Sequence, residues 1–169
     1  ALRSHVDAAY DYLRRGDFEN ARRHLQNAEA INDRDASLHN AMAYSYELSG
    51  DVDLADQSYR KAIGLDSSLT SARNNYGVFL FKQERYKEAR EQFKKVVEDT
   101  LYPRRGGAFN SLGVCEVRLE NYDGAKSLLV GAKIAGHYKM KDDLASIEIA
   151  LKNLFPNSVE YQEFRKRFK

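Results

Sequence analysis

A chain of 169 residues with 43% hydrophobic side chains suits one domain, or one short solenoid, with a buried core, and this excludes wholesale disorder. Its 27 basic and 25 acidic side chains nearly cancel, to a net charge of +2, which argues against a nucleic-acid protein held by overall charge, because phosphate affinity needs clustered Lys and Arg. The single Cys115 excludes an intramolecular disulfide or a zinc site, no run of about 18 apolar residues is present to span a bilayer, and two prolines leave long stretches free to be helical.

In chain order, the periodicity predicts helix pairs over 2–15 with 18–31, 36–49 with 52–64, 70–83 with 86–99, and 106–119 with 122–136. Two further helices follow over 142–154 and 158–168, separated by Pro156, with Asn157 or Ser158 as the cap of the last. The pairs share a register. Ala21, Ala55, Ala89 and Ala125 are separated by 34, 34 and 36 residues. Twelve positions before each stands a small residue (Ala9, Ala43, Gly77, Gly113), and four after each a larger apolar one (Leu25, Tyr59, Phe93, Leu129). Three before each come Phe18, Val52, Tyr86 and Tyr122. Small residues let two helix backbones approach, and the apolar neighbour fills the space beside them. Gly16 and Gly50 mark the turn inside the first two pairs, where a left-handed conformation is expected; Glu84 and Glu120 occupy that place in the later two.

A helix–turn–helix unit with a period of 34 residues is that of the tetratricopeptide repeat (TPR). The expected fold is therefore all-α, a superhelical TPR solenoid of antiparallel helix pairs in a single domain over 1–169. Its repeats fall near 2–35, 36–69, 70–105 and 106–138, with C-terminal helices over 142–168. Stretch 127–138 fits both the end of the fourth repeat and the first helix of a final one: either a segment is missing near 128–130 or, in a continuous chain, 126–138 serves both roles.

In such a stack the first helix of each pair lines one face. Three positions before each small residue stand Val6, Asn40, Asn74 and Asn110, and an asparagine amide offers both donors and an acceptor to a peptide backbone. One position after come Tyr10, Tyr44, Val78 and Val114, and three further on Leu13, Glu47, Phe81 and Val117. The expected partner-binding face is thus Tyr10, Leu13, Asn40, Tyr44, Asn74, Val78, Phe81, Asn110, Val114 and Val117, an apolar floor with amides suited to a hydrophobic segment of a partner protein. The competing role for these residues is internal: asparagines bonded to neighbouring helices and apolar side chains in the core.

The third repeat is more particular. Asn74-Asn75-Tyr76-Gly77-Val78-Phe79-Leu80 leads into Glu84-Arg85-Tyr86-Lys87-Glu88-Ala89, then Asp99-Thr100-Leu101-Tyr102-Pro103 and Ser111-Leu112-Gly113-Val114-Cys115. This series, with the closing Leu154-Phe155-Pro156-Asn157-Ser158, resembles the PilF/PilW family of type IV pilus biogenesis proteins. The resemblance implies a pilotin, an outer-membrane lipoprotein facing the periplasm that helps the secretin subunit of the pilus pore to multimerise. It also implies an export signal and a lipidated N-terminal cysteine, neither seen in this chain, so a membrane link is expected only through such an anchor. Family members often carry a second cysteine where Phe81 stands, paired with the one at Cys115; here that pairing is impossible and Cys115 is expected to be a buried free thiol. The alternative is another periplasmic TPR adaptor, for instance one that organises cell-wall enzymes.

No enzymatic activity, metal or cofactor is expected. His5 and His39 share a repeat position that packs between helices, and His24 and His137 have no partner at a ligand spacing; no His-x-x-x-His motif is present. Gly106-Gly107 after Arg104-Arg105 lacks the strand, spacing and Lys-Ser/Thr of a phosphate loop, and is expected to be a flexible turn. The basic end, Phe164-Arg165-Lys166-Arg167-Phe168-Lys169, is expected to be a solvated helix terminus, since cations favour helix C-termini.

Overall fold

The computed structural model describes residues 1–119, 126, 128, 129, 131, 132 and 141–168, with every side chain among them except that of Val117. Among the described residues there are nine helices and no strand: α1 (Leu2–Arg14), α2 (Phe18–Ile31), α3 (Ala36–Ser49), α4 (Val52–Leu65), α5 (Thr70–Lys82), α6 (Tyr86–Glu98), α7 (Arg105–Arg118), α8 (Lys141–Leu154) and α9 (Val159–Phe168). Each matches an expected helix to within one residue. The helix expected over 122–136 lies largely outside the described residues, as do Glu120, Tyr122, Ala125, His137 and, at Val130, the expected missing segment. The chain divides within α5 into two compact units, Ala1–Tyr76 and Gly77–Lys169.

The turn inside each of the first three helix pairs is one device used three times. Gly16 donates its N–H to Leu13 O (3.1 Å) and Asp17 to Tyr12 O (3.0 Å). Gly50 and Asp51 repeat this with Glu47 O and Tyr46 O, and Glu84 and Arg85 with Phe81 O and Leu80 O. These paired bonds satisfy carbonyls that a helix end leaves open, and they need a left-handed residue at the bend. Gly16 and Gly50 supply it with φ of 75° and 81°, whereas Glu84 adopts 58° with a side chain attached.

The turns between pairs are also repeated. Asn32, Asp66 and Asp99 each end a helix in extended backbone. The side-chain oxygen of each accepts the N–H two residues on, from Arg34 (3.0 Å), Ser68 (2.8 Å) and Leu101 (3.0 Å). Such Asx turns compete with continued helix and redirect the chain toward the next pair. Side-chain caps start the following helices: Asp17 accepts from Asn20 N (3.1 Å), Asp35 from Leu38 N (2.9 Å), and Ser158, rather than Asn157, from Tyr161 N (3.1 Å).

In the first unit Ala9, Ala21, Ala43, Ala55 and Tyr59 are fully buried, and Val6, Ala9, Leu25, Ala28, Leu38 and Ala41 form one core cluster. In the second unit the contact is tighter. A Cβ at Gly77 would lie 2.8 Å from Phe93 Cε1, and one at Gly113 would lie 3.0 Å from a Leu128 methyl and 3.1 Å from a Leu154 methyl. Phe109, Leu128, Leu129, Ala132, Ile147, Leu151 and Phe164 make the second core.

Gly106 and Gly107 are not a turn but the first turn of α7, which corrects the expectation of a flexible loop. The physical reason is contact with α8: a Cβ at Gly106 would sit 2.6 Å from Ser146 Oγ. Beside it Arg105, 1% exposed, donates Nε to Val97 O (2.7 Å), pairs with Asp143 (3.3 Å) and lies over the Phe109 ring (5.1 Å). Arg105 is therefore an internal strut joining the end of α6, α7 and α8. Removing one member of such a buried pair costs about 3–5 kcal/mol, because the other charge stays behind.

Two outcomes follow from these features. Glu84→Gly removes the left-handed strain at the third turn and is expected to stabilise the chain by about 0.5–1 kcal/mol, raising Tm by about 1–4 °C; an unchanged or lower Tm in a calorimetric scan would show that the turn carries no strain. Cys115 is a fully buried free thiol, pushed up to about 12 by burial and then by the neighbouring Glu116 charge. At pH 8 it is expected to stay unreactive toward a disulfide reagent in the folded chain and to react at once in concentrated urea; rapid native labelling would contradict its burial.

Candidate partner-binding face

The expected face residues come from the first helix of each pair, and the structure sorts them into contacts and supports. On α1 and α3, the rings of Tyr10 and Tyr44 meet at 6.0 Å between centroids, both half-buried. Leu13 is 3% exposed and Asn40 4% exposed, so both lie under the surface. Asn40 Oδ1 accepts from Asn75 Nδ2 at 3.2 Å, which is the internal role for an asparagine at this position and ties α3 to α5. Asn74, one residue before that donor, is half-buried.

In the second unit Val78 is 38% exposed, Asn110 is exposed, and Phe81 and Val114 are half-buried. Phe81 meets the Tyr86 ring edge-on at 5.2 Å, and the Arg118 guanidinium lies 6.0 Å over that same ring. The side chain of Val117 lies outside the described residues. The α5 and α7 residues thus offer apolar surface and one open amide, flanked by a cation held on an aromatic face.

A tyrosine network beneath the first part of the face escaped the sequence reading. Tyr59, fully buried on α4, donates its hydroxyl to Glu47 Oε2 on α3 at 2.8 Å. Its ring packs against Tyr76 at 5.5 Å; Tyr76 donates to Asp56 Oδ1 (2.9 Å), and Arg60 Nε donates to Asp56 Oδ2 (2.7 Å). Tyr59 had registered only as the larger apolar residue of its repeat; the signal that it is more was the carboxylate at position 47, in a column otherwise apolar. Burial, then the Glu47 charge and hydrogen bond, raise the Tyr59 pKa well above its ordinary value, with smaller contributions from Tyr10 and Tyr44. His5 and His24 are a second pairing without a sequence signature: their Nδ1 atoms lie 3.0 Å apart across α1 and α2, with His24 stacked on Tyr12 at 5.3 Å. His39 bonds through Nε2 to Asp33 O (2.7 Å).

A groove of about 480 Å³ runs between α2 and α3, lined by Phe18, Leu25, Met42 and Tyr46 together with Arg22, Gln26 and Glu29. Among the described residues no cluster of three or more metal-ligating side chains occurs, and no helix is long and apolar enough to cross a membrane.

The raised Tyr59 pKa has a definite sign. A phenol whose folded value exceeds the unfolded one contributes fully below about pH 10 and loses that contribution as pH rises above it. Stability measured by urea unfolding is expected to fall from about pH 9 to about pH 11, and to fall less steeply in Tyr59→Phe. At neutral pH the same variant is expected to cost about 1–3 kcal/mol, because Glu47 loses a donor. Parallel pH curves for the two proteins would remove Tyr59 from the alkaline transition.

The comparisons with known proteins agree with the repeat fold. A tetratricopeptide repeat model matches residues 6–70 and 77–129. The chain is 30% identical, over 211 aligned residues, to the type IV pilus assembly protein PilF of Pseudomonas aeruginosa, with 96% of this chain and 84% of the relative covered. That aligned stretch is longer than the 169 residues of this chain, so the relative carries residues without a counterpart here. The solved structure of Pseudomonas aeruginosa PilF is similar at a TM-score of 0.68 and 29% identity, covering 98% of this chain and 96% of that one. The structure of PilW shares the fold at a TM-score of 0.63 and 21% identity, covering 96% of this chain and 97% of that one. The chain belongs to the PilF/PilW family of tetratricopeptide-repeat proteins.

Proposed function

We propose that this protein is a non-enzymatic pilotin, a scaffold that binds the secretin subunit of a type IV pilus system and promotes its multimerisation at the outer membrane. The observation that carries this is the 30% identity to a type IV pilus assembly protein, spread over 96% of the chain rather than confined to one repeat. A TPR stack supplies rigid, solvent-facing side chains at a fixed spacing and no chemistry of its own, which suits assembly rather than catalysis. The contacts are made by Tyr10, Tyr44, Asn74, Val78, Phe81, Asn110, Val114 and Val117, with Leu13 and Asn40 supporting them from below. Placement on the periplasmic face of the outer membrane, through a lipid anchor, belongs to the same proposal.

Deleting the gene in its host is expected to remove heat-stable secretin multimers from envelope extracts, and affinity capture with the intact chain is expected to recover the secretin. Normal multimers in the deletion strain, or capture of cell-wall enzymes in place of a secretin, would overturn the pilotin in favour of a different envelope adaptor. The double variant Asn74→Ala, Asn110→Ala is expected to weaken the captured complex about tenfold while keeping its helical spectrum, since each lost bond is worth about 0.5–1.5 kcal/mol.

A further inference from the structure

We propose that His5 and His24 form a chelating site for a divalent transition-metal ion between α1 and α2. The site goes beyond the partner-binding role and does not depend on it. The Nδ1 atoms of the two rings lie 3.0 Å apart, although the residues stand 19 positions apart in the chain and share no ligand motif. Their ring centroids are 5.2 Å apart. The helix faces that carry them are anchored in the core: Val6 and Ala9 beside His5 on α1, and Ala21 and Leu25 beside His24 on α2, are buried. Tyr12 stacks on the His24 ring at 5.3 Å, which holds that ring from the side. Both histidines are half-buried, so the pair combines a rigid base with access from solvent.

Two neutral imidazoles that meet through Nδ1 hold one proton between them: one ring donates it and the other offers its lone pair. A metal ion in the proton's place takes both lone pairs. The ring that carried its proton on Nδ1 then becomes the Nε2–H tautomer by exchange with solvent, so no net proton is released. With metal–nitrogen bonds of about 2.0–2.1 Å, nitrogens 3.0 Å apart subtend about 95° at the ion. That is near the cis angle of a tetragonal copper(II) or nickel(II) ion, and imidazole suits both. The terminal torsion of a histidine side chain is broad, so the two rings can aim their lone pairs at one ion without backbone movement. Among the described residues no group of three or more His, Cys, Asp or Glu side chains occurs, so water fills the remaining positions of the ion. A nitrogen pair of this kind selects against magnesium and calcium, which take oxygen ligands.

The test titrates the full chain with copper(II), nickel(II), zinc(II) and magnesium(II) by calorimetry at neutral pH, and needs no pilus component. Copper(II) is expected to bind more tightly than nickel(II) or zinc(II), and magnesium(II) not to bind. His5→Gln and His24→Gln are each expected to weaken copper(II) binding at least about tenfold, because the second imidazole of the pair acts as an intramolecular ligand. Unchanged affinity in either folded variant, or binding of magnesium(II) equal to that of copper(II), would overturn the site. A second measurement on the unaltered chain decides the matter if a variant loses its helical spectrum. In the chain labelled with nitrogen-15 histidine, zinc(II) is expected to shift the Nδ1 resonances of His5 and His24 together and saturably. A shift of one ring alone, or of neither, reduces the pair to a hydrogen bond with a shared proton and removes the metal site.

Discussion

The helix pairs of the repeats depend on how closely two helix backbones approach, and one small residue on each first helix permits that approach. Ala9 and Ala43 do this in the first unit, each buried completely with its partner alanine on the second helix. In the second unit the allowance shrinks to nothing: the space a methyl would need at Gly77 is filled by Phe93, and that at Gly113 by Leu128 and Leu154. Glycine costs helix propensity at both places, roughly 1 kcal/mol relative to alanine, so its presence in mid-helix marks a contact worth more than that penalty. The aromatic and aliphatic side chains that lean into these gaps each return about 1.5–3 kcal/mol on burial.

That close approach also decides which side chains are available to a partner. Because the small residue faces the second helix of its own pair, the residue following it, at Tyr10, Tyr44, Val78 and Val114, is turned partly outward and held by the packing beneath. The column three residues further divides: Leu13 is drawn into the core, while Glu47 and Phe81 remain half-buried and find aromatic neighbours. Beside the proposed face, Glu47 is held from below by the fully buried Tyr59, and the buried Asn40 is tied to Asn75. Rigid placement lowers the entropy lost when a partner segment binds, so a modest set of contacts can be selective.

Much of this was legible in the residues alone. The repeat columns gave α1 to α7 to within a residue, since a 34-residue period leaves little freedom in register, and Pro156 separated α8 from α9. The closing bonds of the third turn are the same as those of the first two although Glu84 replaces glycine, so the pairing energy of the helices overrides one unfavourable backbone conformation. Asn32, Asp66 and Asp99 were visible as polar residues at nearly even spacing, yet their role as Asx turns emerged only with the backbone amides in place.

The sequence by itself determined the helix boundaries and the repeat register, because these follow from local propensity and from spacing along the chain; the family rested on the resemblance of particular segments in repeats three and four. Tertiary structure alone decided which members of each column carry polar contacts. Asn40 turned inward to Asn75, Arg105 became a buried strut on Asp143 and Val97, and Gly106 entered a helix to make room for Ser146. Each of these joins residues from different helices, some of them far apart in the chain, and periodicity assigns a residue to a face but not to a partner. The burial of Tyr59 against Glu47 is of the same kind: two ordinary repeat positions become a fixed carboxylate only when α3 and α4 are packed together.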